Sequence, residues 1–306
     1  MSKLILHHYD ISSFSEKIRL VFGLKGLAWR SVIIPAISPK PDLVPLTGGY
    51  RRTPVLQIGA DIYCDTKLIA TELERRYRAP SLFPNSQHGL TWALGSWAED
   101  QFFWPIARYI SGINADIMED GFHRDRAAMR GKPAPDAARL QRDAQTRLPI
   151  MRQQFGWIED MFGDGRKFIT GAAPALLDFT LYHGFWFLDA LPRKGGAIVG
   201  EFPKVKAWTE RIKAIGHGLR REMPAAEALQ IAHDATPEAP ASAQPMQGDP
   251  ALGSKVAIRP EDYGVEWVEG ELAFADTEQL AIKRHDGKVG DVIVHFPRSR
   301  YIVKPI

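Results

Sequence analysis

The sequence predicts an α/β domain followed by an all-α domain, with a small all-β module at the C-terminus. Short strand-like runs alternate with amphipathic helical patterns over residues 3–78, as in a small α/β sheet domain. Helical periodicity dominates from residue 88, and short alternating strands return after residue 251. A chain of 306 residues is longer than one compact core usually organises, so several units are expected. The predicted units are residues 1–80, residues 86–233, a linker at residues 234–250, and residues 251–306.

The composition is that of a soluble globular protein, with 45% hydrophobic and 25% charged residues. The formal net charge is only +3, and basic and acidic residues are interleaved, so we expect neither nucleic acid nor a membrane as a partner. No apolar run approaches the length of a membrane span, and the first residues are too polar for a secretory signal. We therefore expect a cytoplasmic location.

Cys64 is the only cysteine, which limits the chemistry that the chain can perform with sulfur. An intramolecular disulfide, a cysteine zinc cluster and a Cys-x-x-Cys redox pair are all impossible. A lone cysteine is more often a small buried residue than a nucleophile, so we expect Cys64 to be buried. No metal is expected.

The first unit begins with a strand at residues 4–8 and a helix that follows the run Ser12-Ser13-Phe14-Ser15. Serines in front of a helix are typical N-caps, because a side-chain oxygen accepts a hydrogen bond from a backbone N–H that has no partner in the helix. Gly26 is a plausible helix end, and residues 29–34 predict a second strand.

The rest of this unit is predicted to be a hairpin and a helix. Residues 53–58 have a strand pattern but begin with Thr53-Pro54, and a proline belongs at the start or edge of a strand because it has no N–H to donate. A turn at residues 59–61 leads to a partner strand, and residues 67–77 predict an amphipathic helix.

Helices are predicted throughout the second unit, and strands in the last one. The helical stretches are residues 90–111, 134–162 with a break near Pro149, 176–191, 203–215 and 225–233. The strands are residues 265–268, 272–274, 280–283 and 292–296, with a hairpin turn at Asp286-Gly287. A module of this size is marginal as an independent core, so we expect it to pack on the rest of the chain. His295 and the basic residues after it are expected on a solvated edge.

Four segments, in this order and spacing, resemble the glutathione transferase family over residues 3–220. They are residues 12–19 at the first strand–helix junction, 51–56 at a cis-proline loop, 65–69 at the start of the third helix, and 171–178 in the helical domain. The resemblance implies a thioredoxin-like N-terminal fold, reduced glutathione as a co-substrate, and a homodimer. One departure is Ala175, where the family has a serine or threonine cap.

For the catalytic residue, the resemblance leaves Ser12 and Tyr9 as alternatives. Ser12 stands where strand meets helix, so its hydroxyl and the helix N-terminus can face the sulfur of glutathione. Such surroundings lower the pKa of a thiol from about 8.5 to roughly 3.5–7.5. Tyr9, at the end of the strand, is the competing hydroxyl, and Ser12 can also be only an N-cap.

The same resemblance implies a set of glutathione-binding residues. In this interpretation Thr53 and Pro54 present the backbone of Val55 to the cysteinyl part of the tripeptide, across a cis bond. Thr66 would bind the γ-glutamyl carboxylate, and Asp65 would lie near its ammonium group; both are also good helix caps. An arginine, Arg52 or its neighbour Arg51, could neutralise a carboxylate.

The second substrate is expected between the two domains, beside aromatic residues of the first helices. The candidates are Trp97, Phe102, Phe103, Trp104, Arg108 and Tyr109, although aromatic residues at helical spacing are more commonly core residues. The predicted function is conjugation of the glutathione thiolate to a hydrophobic electrophile. The alternatives are a glutathione-binding or interaction protein with little activity, or another glutathione-dependent reaction such as peroxide reduction or dehalogenation.

Overall fold

The structure, a computed structural model, describes residues 3–238 and 243–306. Met1, Ser2 and residues 239–242, which belong to the predicted linker, lie outside the described residues. In the described part, ten strands form a single mixed sheet in the order β10-β6-β7-β8-β9-β4-β3-β1-β2-β5. The strands are β1 Leu4–His8, β2 Ala28–Ile33, β3 Val55–Ile58, β4 Asp61–Cys64, β5 Leu219–Glu222, β6 Lys255–Pro260, β7 Val268–Ala275, β8 Gln279–Asp286, β9 Gly290–Pro297 and β10 Tyr301–Pro305.

The helices fall into those beside the N-terminal strands and those of a bundle. They are α1 Ser13–Leu24, α2 Val44–Thr47, α3 Thr66–Arg76, α4 His88–Trp97, α5 Phe103–Ile113, α6 Asp120–Ala128, α7 Ala137–Gln145, α8 Leu148–Met161, α9 Leu176–Phe187, α10 Pro203–Lys213 and α11 Ala225–Asp234. A π-helical turn, Ala98–Phe102, joins α4 to α5. None of the helices in the described residues is both long and apolar enough to cross a membrane.

Strand β1 lies at the centre of the N-terminal part of the sheet. It pairs in parallel with β2 and antiparallel with β3, as the thioredoxin-like prediction requires. Successive side chains of a strand point to opposite faces, so Leu4 and Leu6 pack toward the helical bundle while Ile5 packs on the other face. The two faces therefore contribute to two separate cores.

The C-terminal strands extend this same sheet, which the sequence did not reveal. Strand β9 pairs in parallel with β4, so that Asp61 is opposite Ile293 and Tyr63 is opposite His295. The predicted solvated edge at His295 is wrong, because its ring Nε2 donates a 2.9 Å hydrogen bond to the Asp61 carboxylate and its ring stacks on that of Tyr63 at 4.4 Å. The hairpin turn after Asp286 is confirmed, since β8 and β9 pair up to that residue.

The segment after α10 also differs from the all-α region that was predicted there. Strand β5 pairs in parallel with β2, and α11 lies against the sheet, with Ala228 and Ala232 buried in the core that the C-terminal strands share. A four-residue strand with mostly exposed residues has no apolar alternation that could have indicated it.

In the bundle, α9 is buried almost all round, as predicted for a central helix. The expected break near Pro149 falls between α7 and α8, and Pro149 lies in the first turn of α8. At the start of α9, the carboxylate of Asp178 accepts hydrogen bonds from the Ala175 N–H and the Trp208 indole, 2.9 and 2.8 Å long. Burial raises the pKa of Asp178 to about 6. Asp178 thus keeps the half of the capping box that needs no hydroxyl at position 175.

Candidate functional site

A cleft of about 1110 Å³ lies between the N-terminal strands, helices α4 to α7 and the loops of the C-terminal strands. Seven of the predicted site residues line it: Tyr9, Ser12, Arg52, Thr53, Pro54, Asp65 and Thr66. Val55 does not line the cleft, and its side chain is fully buried in the core on the far face of the sheet. Any role of Val55 in binding would therefore belong to its backbone.

Ser12 and Tyr9 lie at the two ends of the turn that joins β1 to α1, where the Ser12 N–H donates to the Tyr9 carbonyl at 3.0 Å. The Ser12 hydroxyl oxygen caps the helix by accepting from the Ser15 N–H at 3.2 Å, and it also accepts from the Ser15 hydroxyl at 2.8 Å. A serine oxygen has two acceptor positions, so both are used. Within the described residues, nothing accepts the hydrogen of the Ser12 hydroxyl, which leaves that hydrogen for a ligand in the cleft.

The first turn of α1 adds further donors at the same point. The backbone N–H groups of Ser13 and Phe14 have no hydrogen-bond acceptor in the part of the chain that the structure describes. The N-terminus of a helix carries a partial positive charge and binds anions through such free N–H groups. Together with the Ser12 hydroxyl, this arrangement can stabilise a thiolate.

The Tyr9 hydroxyl also faces the cleft, but its surroundings are different. The Arg126 guanidinium donates to the Tyr9 oxygen at 3.0 Å and to the carbonyl of Ala36 at 2.8 Å. The Lys40 ammonium lies 5.7 Å from the centre of the Tyr9 ring. One cation thus lies at the hydroxyl of this tyrosine and another over its ring, and the hydroxyl can donate to an anion as well.

The loop before β3 has the predicted cis bond between Thr53 and Pro54. The Thr53 hydroxyl accepts a 2.9 Å hydrogen bond from Lys40, a lysine that the sequence reasoning missed. Lys40 is buried and has no carboxylate within 4.0 Å among the described residues. Burial, followed by repulsion from Arg126, lowers the pKa of Lys40 to about 8.

Asp65 occupies a strained position at the start of α3, with φ +74° and ψ 136°. Such a conformation costs about 1–3 kcal/mol in a residue other than glycine and persists only where its neighbours hold it. Its carboxylate accepts from the Lys67 N–H at 3.0 Å and from the Tyr301 hydroxyl at 3.1 Å, and Arg52 lies 3.5 Å away. Three groups therefore fix the orientation of this carboxylate.

Next to Asp65, the Thr66 hydroxyl accepts a 3.2 Å hydrogen bond from Lys17. The Lys17 side chain is only 2% exposed, and its ammonium also donates to Glu99 at 2.7 Å. Glu99 belongs to the π-helical turn between α4 and α5, a kind of irregularity that is frequent at functional sites. An ammonium and a hydroxyl thus meet where a carboxylate of a ligand could bind.

Arg52 is bound on several sides by the C-terminal part of the chain. Its guanidinium pairs with Asp262 and donates to the Tyr263 carbonyl at 2.6 Å, besides facing Asp65. Tyr301 in turn shares a 2.7 Å hydrogen bond with Tyr50. These C-terminal residues are more than 200 positions away in sequence, so no local pattern could have placed them in the site.

The other candidates divide between the cleft and the core. Of the predicted second-substrate residues, Phe103, Trp104 and Arg108 line the cleft, whereas Phe102 is fully buried and Trp97 and Tyr109 pack on the core. Cys64 is fully buried, and burial together with the nearby Asp65 raises the pKa of its thiol well above the ordinary value. A thiolate at this position is thus disfavoured.

Two family models match the chain: the N-terminal domain of glutathione S-transferases over residues 6–81, and their C-terminal domain over residues 137–211. Among solved structures, a GST-like protein from Pseudomonas syringae is 37% identical, and the match covers 100% of this chain and 100% of that chain, with a TM-score of 0.83. Comparison with the curated proteins found no match.

Two more solved structures share the fold. A glutathione S-transferase from Rhodospirillum rubrum F11 is 19% identical over 69% of this chain and 88% of that chain, with a TM-score of 0.53. Glutathione transferase F1 from poplar is 10% identical over 70% of this chain and 93% of that chain, with a TM-score of 0.53. About three-tenths of this chain is therefore shared with the Pseudomonas protein but not with these two.

Proposed function

The chain belongs to the glutathione S-transferase family, and from this premise we propose that it conjugates the thiolate of reduced glutathione to a hydrophobic electrophile. The main support is the hydroxyl of Ser12, whose hydrogen has no acceptor among the described residues and which faces the cleft beside free N–H groups of α1. The same cleft holds the Thr53-Pro54 loop and the Asp65-Thr66 helix start. No metal is required for this chemistry.

In this proposal the nucleophile is the sulfur of glutathione. The Ser12 hydroxyl and the Ser13 and Phe14 N–H groups stabilise the thiolate, which lowers the pKa of the thiol so that more of it is ionised at neutral pH. The thiolate sulfur then forms a bond to the electrophilic carbon. In a substitution the leaving group departs with its bonding electrons, and in an addition the electrons of the attacked double bond move to the neighbouring activating group. The protein contributes ionisation of the thiol and positioning of the two reactants.

The tripeptide would lie along the sheet side of the cleft. Thr66, with the ammonium of Lys17 beside it, would bind the γ-glutamyl carboxylate, and Asp65 would bind the γ-glutamyl ammonium group. The backbone of Val55 would pair with the cysteinyl part. Arg52 already contacts Asp65 and Asp262, so its contacts favour a positioning role through Asp65 over direct binding.

Lys40 supplies the positive charge for the second carboxylate of glutathione. Glutathione has a second carboxylate at its glycine end, and this carboxylate needs a cation beyond the cis-proline loop. Lys40 lies there, donates to Thr53 and has no carboxylate partner within the described residues. We therefore assign Lys40 to the glycine carboxylate.

The test compares Ser12→Ala with Tyr9→Phe. Removing one donor to a developing anion typically costs about 100-fold or more in kcat, so Ser12→Ala should lose that much turnover with an aryl halide while binding glutathione almost normally. Because Ser12 also caps α1, Ser12→Thr is the matched control: it keeps the hydroxyl and the cap and should retain turnover. If Tyr9→Phe loses turnover and Ser12→Ala does not, the activating hydroxyl is that of Tyr9.

The alternative is a glutathione-binding or interaction protein on the same scaffold with little activity. The C-terminal strands and their many contacts favour this alternative, because a minimal enzyme would not have them. Retention on immobilised glutathione without turnover of any electrophile in a broad panel would support this alternative. Homodimer formation stays a prediction, which sedimentation analysis can test, and so does a cytoplasmic location.

A further inference from the structure

The cleft is lined by more cations than glutathione needs. Twelve lysines and arginines line it, against five aspartates and glutamates, and two further carboxylates, Asp125 and Glu266, pair with Arg51 and Arg126 from outside the lining, so the excess is five positive charges. Bound glutathione, with two carboxylates, a thiolate and one ammonium, would reduce that excess to about three. Six of the twelve have no carboxylate within 4.0 Å among the described residues: Lys40, Lys67, Arg108, Arg130, Lys132 and Arg147.

Four of these six belong to the helical region of the chain that lines the cleft. We call Arg108, Arg130, Lys132 and Arg147 the helical wall, because they belong to α5, the segment after α6, and the junction of α7 and α8. None of the four has a hydrogen bond or an ion pair to Asp65 or Thr66 among the described residues, although Arg130 and Arg52 lie over the same Tyr263 ring. The helical wall therefore keeps its charges when the γ-glutamyl group is bound at Asp65-Thr66.

Arg130 is the residue of this wall whose surroundings are best defined. Its guanidinium lies 4.7 Å from the ring centre of Trp104 and 5.0 Å from that of Tyr263. Within the described residues, the only hydrogen bond of this guanidinium is the one that it donates to the carbonyl of Arg126, at 3.1 Å. Two rings thus hold a cation in the cleft, and no carboxylate neutralises it.

The other cations of the wall increase its positive potential. Partial burial, and then the nearby Arg108 and Arg126, lower the pKa of Arg130, so these charges are close enough to repel one another. The Nε atom of Arg147 is buried and has no hydrogen-bond partner within the described part of the chain. Arg108, Arg130 and Lys132 are exposed and Arg147 is half-buried, so what distinguishes these cations is their place in a concave surface, which focuses a positive potential into it. An anion bound in the cleft beside Arg130 would reduce that potential.

We infer that the helical wall binds an anionic group of the second substrate, so that the electrophile is an aromatic or similarly planar compound with a carboxylate. This inference rests on the proposed function, since it takes the bound anion to be the compound that the thiolate attacks. The rings of Trp104, Phe103 and Tyr263 supply an apolar surface for the body of such a compound, and Arg130 supplies the counter-charge. The sequence predicts only that the electrophile is hydrophobic, and this inference adds that it carries a negative charge.

The first test uses two acceptors with the same reactive centre, 4-chloro-3-nitrobenzoate and 4-chloro-3-nitrobenzamide. After division by their uncatalysed rates, kcat/KM for the acid should exceed that for the amide about tenfold, equivalent to about 1.4 kcal/mol. Arg130→Gln should bring the two values close together by lowering only the value for the acid. Arg139→Gln is the matched control, because Arg139 also lines the cleft but is paired with Asp143 and is 68% exposed; it should leave the ratio unchanged.

A second measurement separates this inference from the proposed function. Calorimetry with 4-nitrobenzoate and 4-nitrobenzamide needs neither turnover nor glutathione, and only the acid should bind, more weakly in high salt and in Arg130→Gln. Equal turnover of the acid and the amide would overturn the inference and leave the proposed function intact. Tight binding of the acid by a protein that neither binds glutathione nor conjugates it would sustain the anion site and overturn the proposed function. Equal binding of the acid and the amide would overturn the anion site itself.

Discussion

Two groups of charged residues face the same cleft and are arranged in opposite ways. We call Arg52, Tyr50, Asp65, Asp262 and Tyr301 the Asp65 network. In it the guanidinium is paired with two carboxylates, and the Asp65 carboxylate accepts from a tyrosine hydroxyl and a backbone N–H. The four cations of the helical wall have no carboxylate within 4.0 Å in the described residues.

The difference indicates what each side can bind. The charges of the Asp65 network are half-buried and fixed in one geometry by their partners, so the network suits a ligand whose own charges are fixed and opposite, as at the γ-glutamyl end of glutathione. An unpaired cationic wall gains most from a ligand that brings negative charge and has no counter-charge of its own. The first side favours one particular ligand, and the second favours a class of ligands.

The largest effect is expected from Asp65→Ala. In the proposal this carboxylate binds the ammonium of glutathione, and truncating one partner of such a charge pair costs about 2–3 kcal/mol, which corresponds to a Kd roughly 30- to 150-fold higher. Calorimetry with glutathione measures this directly. The control is Asp262→Ala, which removes another partner of Arg52 without touching the ligand and should change Kd far less. Equal losses of glutathione affinity in the two variants would mean that Asp65 does not bind the ammonium group itself and that affinity depends only on the integrity of the Asp65 network.

Tyr301→Phe tests whether the C-terminal strands position the site. The variant removes the hydroxyl that donates to Asp65. A hydrogen bond to a charged group is worth about 1.5–3 kcal/mol, and since this bond only orients the ligand-binding carboxylate, part of that energy should appear in binding: Kd for glutathione should rise about five- to tenfold with kcat unchanged. Tyr50→Phe is matched, since it deletes a buried hydroxyl that bonds to Tyr301 and not to Asp65. Both variants should lose similar thermal stability, and only Tyr301→Phe should lose affinity. Loss of affinity in both would reduce Tyr301 to a structural role.

The sequence was sufficient for the parts of this site that depend on local chemistry. The N-cap at Ser12 and the helix start at Asp65 combine residue types whose conformational preferences act over a few positions, whereas the cis bond at Pro54 is implied only by the resemblance. The resemblance to the family implies that the three segments form one site, and residues of all three line the same cleft in the structure.

The residues that the sequence did not predict are those whose position depends on pairing across long separations. Tyr301 reaches Asp65 because β9 pairs with β4, and nothing in the alternating pattern of β9 specifies which edge strand it joins. Lys17 and Lys40 resemble ordinary surface lysines in the sequence, and only their burial distinguishes them. The same limit applies to β5, a short and mostly exposed strand.

A smaller effect is expected from Thr66→Ala. The variant removes one hydroxyl from the proposed carboxylate site but leaves Lys17 and the start of α3, so Kd for glutathione should rise about fivefold, or about 1 kcal/mol. Thr91→Ala is a suitable control, because Thr91 also lines the cleft and its hydroxyl has no partner in the described residues. Unchanged affinity in Thr66→Ala would remove Thr66 from the site and weaken the contrast between the two sides of the cleft.

The smallest expected effect concerns Lys40, which belongs to the sheet side but lacks a carboxylate partner like the residues of the helical wall. Its pKa is lowered to about 8, so it loses its charge as the pH rises from 7 to 9, and a carboxylate bound to it then loses its counter-charge. We expect Kd for S-methylglutathione, which has no thiol to titrate, to rise about threefold more in the wild type than in Lys40→Arg, whose guanidinium stays charged. The ammonium of the ligand titrates equally in both proteins and cancels in this comparison. Stability should depend on pH in the opposite direction to affinity. Because the pKa of Lys40 is lower in the folded than in the unfolded chain, the contribution of Lys40 to the free energy of unfolding increases with pH between about 8 and 10.5. Parallel affinity profiles in the two proteins would mean that Lys40 does not bind the ligand, and its unpaired charge would then belong with those of the helical wall.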